Sequence, residues 1–397
     1  MERQPYKTPP KWWTPIVSPF WMRVWRPIRR MVQYKSQRIM DVEIRGLGNL
    51  KKATAQNAGV MITPNHSGHC DPILVYRAAE AINNPFYFMC AWQVFSKANH
   101  FRRLMFRTHG CFSVDREGTD MRAFRRAMEI LQTKPNPLVL FPEGEVYHLN
   151  DRITPFKDGA AAIALTATKR SERPILIVPC GIKYIYTSDP TPELVELMNR
   201  LEKRILWRPT PHLQLPDRIY RFAQGLLSLK EIEYLCQAQF GALPDRISFL
   251  SNKMLSDLEM RYDTKPGDAS VPERVKAVRR EIIKILEDEN TAEDVVIQAE
   301  IDLDDMFIVV QLFSYPGDYV AGKPSVERLA ETLDKFEEDI FDLPVAKIRA
   351  TRRVIISFAE PITVQRQKGK GNAVGELTET IEQNVQQLLD DINASLT

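Results

Sequence analysis

The sequence predicts an α/β fold in which a mostly parallel sheet is flanked by helices. Apolar runs of strand length alternate with segments of helical periodicity, at 60–63, 72–82, 86–91, 93–107, 119–132, 137–141 and 175–178. Such alternation is typical of parallel sheets whose strands are covered on both faces. Polar residues follow several of these strands, and α/β proteins place their functional sites at the carboxyl ends of strands.

Length and composition limit the classes of protein to consider. The 397 residues, 44% hydrophobic and 26% charged, are typical of a globular chain with one large domain or two smaller ones. No apolar run approaches 18 residues and no secretory signal is present, so we predict no transmembrane helix. Five cysteines without CxxC spacing indicate a reducing compartment, and we expect a cytoplasmic location.

Residues 1–40 are predicted to form a basic, aromatic arm. They carry nine Lys and Arg residues against a single acid, Glu2, and hold four of the six tryptophans. Prolines at 15, 19 and 27 favour two short amphipathic helices. Arginine beside tryptophan is typical of a membrane interface, so we predict peripheral membrane contact; the alternative is a helix packed on the domain with its arginines in solvent. We expect no nucleic-acid partner because no nucleic-acid-binding motif follows.

The turn 64–72 between a predicted strand and a predicted helix carries the first candidate site. His66 and Asp71 are five residues apart in this turn, so their side chains can meet. A carboxylate beside an imidazole fixes its tautomer and stabilises the imidazolium, which makes His66 a candidate general base. Asp71 precedes a proline, so it is also a candidate N-cap of the following helix.

Four blocks in order resemble those of the glycerolipid acyltransferases, the family of lysophosphatidic acid acyltransferase and glycerol-3-phosphate acyltransferase. They are Asn65, His66 and Asp71; Gly110, Phe112, Val114 and Arg116; Phe141-Pro142-Glu143-Gly144 with 156–160 after it; and the apolar strand that ends at Val178-Pro179. Each block alone is a weak pattern. Four of them in order, each on the expected element, indicate this family.

The resemblance implies a reaction in which His66, held by Asp71, deprotonates a substrate hydroxyl. The oxygen then attacks an acyl thioester on coenzyme A (CoA) or acyl carrier protein, without an acyl-enzyme. It also implies substrate binding by Asn65, Arg116, Glu143, Gly144 and Lys157. The acceptor would be lysophosphatidic acid or a related lysolipid, which places the protein in phospholipid biosynthesis at a membrane surface. We expect no metal and no cofactor beyond the thioester co-substrate.

One loop departs from the family pattern. The third block often continues from Glu-Gly into Thr-Arg-Ser, but here Glu145 follows Gly144 and the Arg two places after the glycine is absent. Arg152, further along, is a candidate replacement. The departure bears on the identity of the acceptor more than on acyl transfer.

A long segment separates the fourth block from the family's last strand, which we place at 352–362. We therefore divide the chain into the arm (1–40), an acyltransferase core (41–186), a mainly helical insertion (187–350), and the last strand with a closing helix (351–397). Within the insertion, 271–288 and 325–341 have clear helical periodicity, and 373–396 forms the closing helix.

Two alternative functions remain from the residues. A metal-dependent hydrolase would use His66, His69 and Asp71, with Cys70 beside them, as ligands. A non-catalytic membrane adaptor would keep the fold without the chemistry. The His66–Asp71 pair favours the acyltransferase over the adaptor.

Overall fold

The computed structural model describes residues 11–116, 120–265, 269–366 and 372–396. The first ten residues of the predicted arm lie outside this part of the chain. The described residues form two compact units, one from 11–189 with 348–396 and the other from 190–347. The first unit contains the turn with His66.

The described part of the first unit holds an eight-stranded mixed sheet. Its strands are β1 Ile39–Arg45, β2 Gly59–Pro64, β3 Tyr87–Ala91, β4 Cys111–Val114, β5 Leu138–Val139, β6 Ile175–Tyr186, β7 Arg352–Phe358 and β8 Ile362–Thr363. The order is β1-β7-β6-β2-β5-β3-β4, and β8 pairs with β6. All neighbours are parallel except that β6 pairs antiparallel with β7 and β8. The predicted mostly parallel sheet is confirmed.

Helices surround the sheet and form the second unit. In the first unit they are α1 Pro19–Val24, α2 Arg26–Met31 with a π-helical turn Val32–Ser36, α3 Leu47–Ala55, α4 Asp71–Ala81, α5 Trp92–Ser96, α6 His100–Thr108, α7 Met121–Thr133, α8 Gly159–Lys169 and, after the second unit, α15 Ala373–Ala394. The second unit holds α9 Thr191–Ile205, α10 Leu215–Leu235, α11 Leu243–Arg261, α12 Val271–Glu287, α13 Glu293–Phe313 and α14 Val326–Phe341. None of the helices in the described ranges is long and apolar enough to cross a membrane.

Two hydrophobic clusters on opposite faces of the sheet explain why consecutive residues of β2, from Val60 to Ile62, are apolar. Ile62 packs on one face in a cluster with Leu74 of α4. Its neighbour Met61 packs on the other face in a cluster with Ile163 of α8 and Ile381 of α15. Because successive strand residues point to opposite faces, a strand covered on both sides has apolar side chains at consecutive positions.

The predicted helix over 93–107 is two helices. Asn99 begins the second, where its side chain accepts a hydrogen bond from the backbone N–H of Arg102 at 2.9 Å. An Asn at such a position satisfies an N–H group that a new helix leaves unpaired. The apolar periodicity continued across the break and concealed it.

The sequence predicted that the strand beginning at Ile175 ends at Pro179, but it does not end there. It continues to Tyr186 and changes neighbours near the proline. Residues before Pro179 pair with β8, and residues from Cys180 onward pair with β7. Pro179 has no N–H to donate, and a change of neighbours is a place where a strand tolerates that loss.

The arm is two short helices, as its prolines predicted, and part of it packs on the domain. The ring of Trp13 stacks on Phe95 at 5.2 Å, and Trp25 is buried. Arg29 is buried as well and donates hydrogen bonds to Glu80 at 2.6 and 3.0 Å. These inner residues match the alternative of a packed helix, so any lipid contact falls to the outer face of the arm.

The second unit contains an internal repeat that was not predicted from the sequence. Three helices begin with an apolar residue, then Pro, an acid and Arg, and the arginines are Arg218, Arg246 and Arg274, each 28 residues after the last. Each guanidinium reaches a glutamate of the preceding helix, with distances of 2.5 Å to Glu202, 2.7 Å to Glu231 and 2.8 Å to Glu259. The fixed spacing of Pro-acid-Arg was the available sign of repetition.

These ion pairs are buried and determine how the helices join. Burial alone would raise the pKa of Glu231, but the hydrogen bonds and charge of Arg246 outweigh it and lower that pKa. A buried carboxylate whose partner is removed keeps its desolvation cost without the compensating attraction. The repeat therefore makes each junction depend on one arginine.

We expect Arg246→Met to lower the free energy of unfolding by about 3–5 kcal/mol at neutral pH, because Glu231 is left buried and unpaired. Urea unfolding followed by circular dichroism measures this. Because the folded pKa of Glu231 is lowered, the stability that the pair provides is present at neutral pH and lost as the pH falls through that pKa. The difference in unfolding free energy between the wild-type protein and the Arg246→Met variant should therefore shrink as the pH falls.

The matched control for this prediction is Lys253→Met, which removes an exposed ion pair with Asp257. We expect it to cost less than about 1 kcal/mol. Equal losses in the two variants would contradict the structural role of the repeat.

Candidate active site

The His turn connects β2 to α4 at the carboxyl edge of the sheet. Cys70 occupies the N-cap position and Asp71 is the first helical residue, followed by Pro72. Asp71 is therefore not the N-cap that the sequence allowed. Its carboxylate instead turns back to accept a hydrogen bond from the backbone N–H of Gly68 at 2.9 Å. The helix start thus aims this carboxylate into the turn.

His66 and Asp71 meet as their spacing predicted. Nδ1 of His66 lies 2.9 Å from Oδ2 of Asp71. Asp71 is fully buried, whereas the His66 side chain keeps 16% exposure. A carboxylate at Nδ1 favours the tautomer with its proton there, which leaves Nε2 able to accept a proton.

A tyrosine from β6 completes the surroundings of Asp71. The hydroxyl of Tyr184 donates a hydrogen bond to Oδ1 of Asp71 at 2.5 Å. Burial, then the negative charge of Asp71, raises the pKa of Tyr184, so this hydroxyl stays protonated. Three donors from His66, Gly68 and Tyr184 therefore hold one buried carboxylate. No local pattern in the sequence indicated Tyr184, because it lies 113 residues from Asp71 and beyond the predicted end of its strand.

The Phe-Pro-Glu-Gly block lies behind His66. The ring of Phe141 stacks on the imidazole with centroids 4.2 Å apart. Oε1 of Glu143 accepts the backbone N–H of His66 at 2.6 Å, and Oε2 accepts both the N–H (3.1 Å) and the hydroxyl of Thr154. Burial raises the pKa of Glu143, while these hydrogen bonds oppose the rise. These contacts of Glu143 position the turn, and a contact between Glu143 and substrate stays a prediction.

Asn65 fixes the other side of the turn. It is fully buried, and its amide donates to the carbonyl of Ile182 at 3.1 Å and accepts from the N–H of Ile182 at 2.7 Å. This pairing continues the contact between β2 and β6 one residue past the strand end. The Asn65 side chain thus takes the place of a backbone partner for Ile182. A contact between Asn65 and substrate stays a prediction.

The two predicted cations converge on Gly144. Arg116 follows β4, and its Nη1 donates to the carbonyl of Gly144 at 2.7 Å and to the carboxylate of Glu145. Gly144 has a φ of +79°, and a Cβ there would lie 2.8 Å from Nζ of Lys157. Glycine therefore lets the lysine cross over this backbone. Glu145, the residue that departs from the family pattern, forms an ion pair with the guanidinium of Arg116.

His66 and Asp71, two of the residues that a hydrolase would need, are not assembled with a third potential metal ligand in the part of the chain that the structure describes. Within the described ranges, neither His66 nor Asp71 belongs to a group of three potential ligands whose atoms lie within 4.8 Å of one another. His69 is exposed, and burial raises the pKa of the Cys70 thiol to about 12. Cys70 is consequently a packing residue rather than a thiolate ligand or nucleophile.

Residues 41–183 match the family model described as Acyltransferase. This segment is an acyltransferase-family domain, which confirms the resemblance to the glycerolipid acyltransferases. It includes the His turn, Arg116 and the Phe-Pro-Glu-Gly block, and it ends one residue before Tyr184. No curated protein matches the chain. The class of activity that the domain supports is acyl transfer.

We expect Glu143→Gln to lower the free energy of unfolding by roughly 1–3 kcal/mol, because an amide NH2 would face N–H and O–H donors that now bind a carboxylate. Chemical denaturation measures the loss. The same substitution two residues on, Glu145→Gln, is the control and should cost less than about 1 kcal/mol, since Glu145 is partly exposed. Equal losses would show that Glu143 is not a positioning residue.

Proposed function

We propose that the first unit transfers a fatty acyl group from an acyl-CoA or acyl-carrier-protein thioester to a hydroxyl of lysophosphatidic acid or a related lysolipid. The observation that carries the proposal is the 2.9 Å contact between His66 Nδ1 and the buried Asp71 carboxylate, inside a domain of the acyltransferase family. This arrangement presents Nε2 to a substrate with the tautomer that general-base catalysis needs.

In the proposed reaction, Nε2 of His66 takes the proton of the acceptor hydroxyl as the oxygen attacks the thioester carbonyl. A C–O bond forms, the C–S bond breaks, and the departing sulfur takes the proton back from the imidazolium. Asp71 stabilises the imidazolium between these steps, and the ring of Phe141 limits rotation of the imidazole. The thioester is already activated, so the proposal needs no metal and no redox cofactor.

Arg116 and Lys157 support an acidic headgroup on the acceptor, because both cations reach Gly144 near the His turn. A guanidinium can donate two hydrogen bonds to one phosphate. Glu145 holds Arg116 in this structure, so a phosphate must compete with that carboxylate. We infer that Glu145 weakens selection for phosphate acceptors. Asn65 and Glu143 would contribute by holding the turn.

A lipid acceptor requires access to a membrane surface. We propose that the first unit binds the cytoplasmic side of a membrane peripherally through an outer apolar face, defined here as Phe20, Val24, Met31, Phe101 and Leu104, all of which are exposed. Trp25 contacts Phe101 at 5.6 Å, which joins the arm to α6. Arg23, Arg26 and Arg102 lie in the same helices and suit anionic headgroups.

We expect His66→Ala to lower kcat by about 10²–10⁴-fold, because the general base is lost. The variant should still fold, as judged by circular dichroism, since Gly68 and Tyr184 continue to donate to Asp71. The assay would offer acyl-CoA and, separately, acyl-carrier-protein thioester with a panel of lysolipids. Asp71→Asn should also lower kcat, and His69→Ala, in the same turn, is the matched control. Normal transfer by the His66 variant would exclude the mechanism, and thioester hydrolysis that a chelator abolishes would favour the hydrolase.

The role of Glu145 is tested by Glu145→Gln, which removes the negative charge beside Arg116. We expect the KM for lysophosphatidic acid to fall by up to about fivefold, the equivalent of one partly exposed ion pair. The KM for an uncharged monoacylglycerol should not change. Arg116→Ala should raise the KM for the phosphate acceptor alone. Equal changes for both acceptors would contradict a headgroup role for this pair.

A further inference from the structure

We propose that a basic cleft beside β4 binds the phosphorylated nucleotide end of CoA. The inference rests on the proposed function, since it names the carrier of the acyl thioester that His66 would use. It concerns a different part of the first unit from the His turn, and it depends on residues to which the family resemblance gave no role.

The cleft has a volume of about 360 Å³, within the range of small-molecule sites. It is formed by a segment of the arm and one face of α7, with the lining residues Trp12, Thr14, Arg122, Arg125, Arg126 and Glu129. The three arginines are spaced i, i+3 and i+4, so they share one face of the helix.

The aromatic side of the cleft is held firmly. The indole N–H of Trp12 donates to the carbonyl of Ser113 at 3.0 Å, and its ring lies 6.5 Å from that of Phe112. The next residue, Trp13, donates its backbone N–H to the Ser113 hydroxyl at 2.9 Å. These contacts fasten the arm to the edge strand, so the cleft does not have to form around its ligand.

The charge of the cleft fits a ligand with several phosphates. Three guanidinium groups face one carboxylate, Glu129, which accepts hydrogen bonds from Arg126 at 2.9 and 2.8 Å. Arg122 lies 4.5 Å over the Trp12 ring. The buried Nε of Arg126 makes no hydrogen bond within the part of the chain that the structure describes. An excess of two positive charges and an unused buried donor favour an anion, such as a phosphate, that can accept two hydrogen bonds from one guanidinium.

The position of the cleft suits CoA in particular. Strands β2, β5, β3 and β4 are consecutive and parallel, so Ser113 near the end of β4 and the His turn after β2 lie at the same edge. Three spacings of about 4.8 Å separate the two strands by roughly 14 Å. CoA carries its nucleotide at the far end of a long pantetheine arm, which can span such a gap. An aromatic wall beside arginines suits an adenine with phosphates better than the surface of a carrier protein.

The experiment measures binding of unacylated CoA to the full chain by isothermal titration calorimetry. Arg122→Ala with Arg125→Ala should weaken binding by at least about tenfold, because two phosphate contacts are lost. The matched control, Lys169→Ala with Arg170→Ala, removes the same charge from the exposed end of α8 and should leave the affinity unchanged. Glu129→Gln should tighten binding, and CoA without its 3′-phosphate should bind more weakly.

Because CoA is unreactive, the measurement does not depend on acyl transfer and can be repeated in the His66→Ala variant. The site is supported if CoA affinity is lost in the cleft variant but kept in the control variant. This holds even if no acceptor is acylated in any assay; that second result would overturn the proposed function and leave the CoA site standing. Unchanged affinity in the cleft variant overturns the inference. So does a wild-type protein that binds acyl-carrier-protein thioester but not CoA.

Discussion

The buried carboxylate of Asp71 is the group on which the rest of the candidate site depends. A fully buried charge is tolerated only when several donors compensate for its lost hydration. Here an imidazole, a backbone N–H and a phenol do so, and they come from the turn and from β6. The requirement to satisfy this carboxylate therefore fixes the imidazole, the turn and the neighbouring strand relative to one another. The chemistry proposed for His66 uses the same contact.

In both units, buried glutamates that accept hydrogen bonds from specific donors join separate segments of the chain. In the first unit, Glu143 joins the His turn to Thr154 through its two buried oxygens. In the second, Glu202, Glu231 and Glu259 each receive an arginine from the next helix. A buried carboxylate with specific donors accepts few alternative geometries, because each misplaced donor leaves an unsatisfied group. Acidic residues thus define the junctions where apolar packing alone would leave freedom.

Elements with strong local patterns were predictable from the sequence. The parallel strands were recognised because β2, β3 and β6 are apolar runs of strand length between helical segments. Predictions were wrong where a local pattern continued through a structural change, as at Asn99 and Pro179. They were incomplete where a repeat was carried by a few polar residues, as with Arg218, Arg246 and Arg274, rather than by hydrophobic periodicity.

By itself the sequence determined the α/β class, the order of the four blocks and the pairing of His66 with Asp71, because strand, helix and turn patterns are local and those two residues share one turn. Only the tertiary structure decided three contacts. Tyr184 donates a hydrogen bond to Asp71, Glu145 pairs with Arg116, and Trp12 lines a cleft with the arginines of α7. The physical reason is that these contacts join residues far apart in the chain. Their formation depends on strand register and helix packing, which arise only when the whole core is assembled.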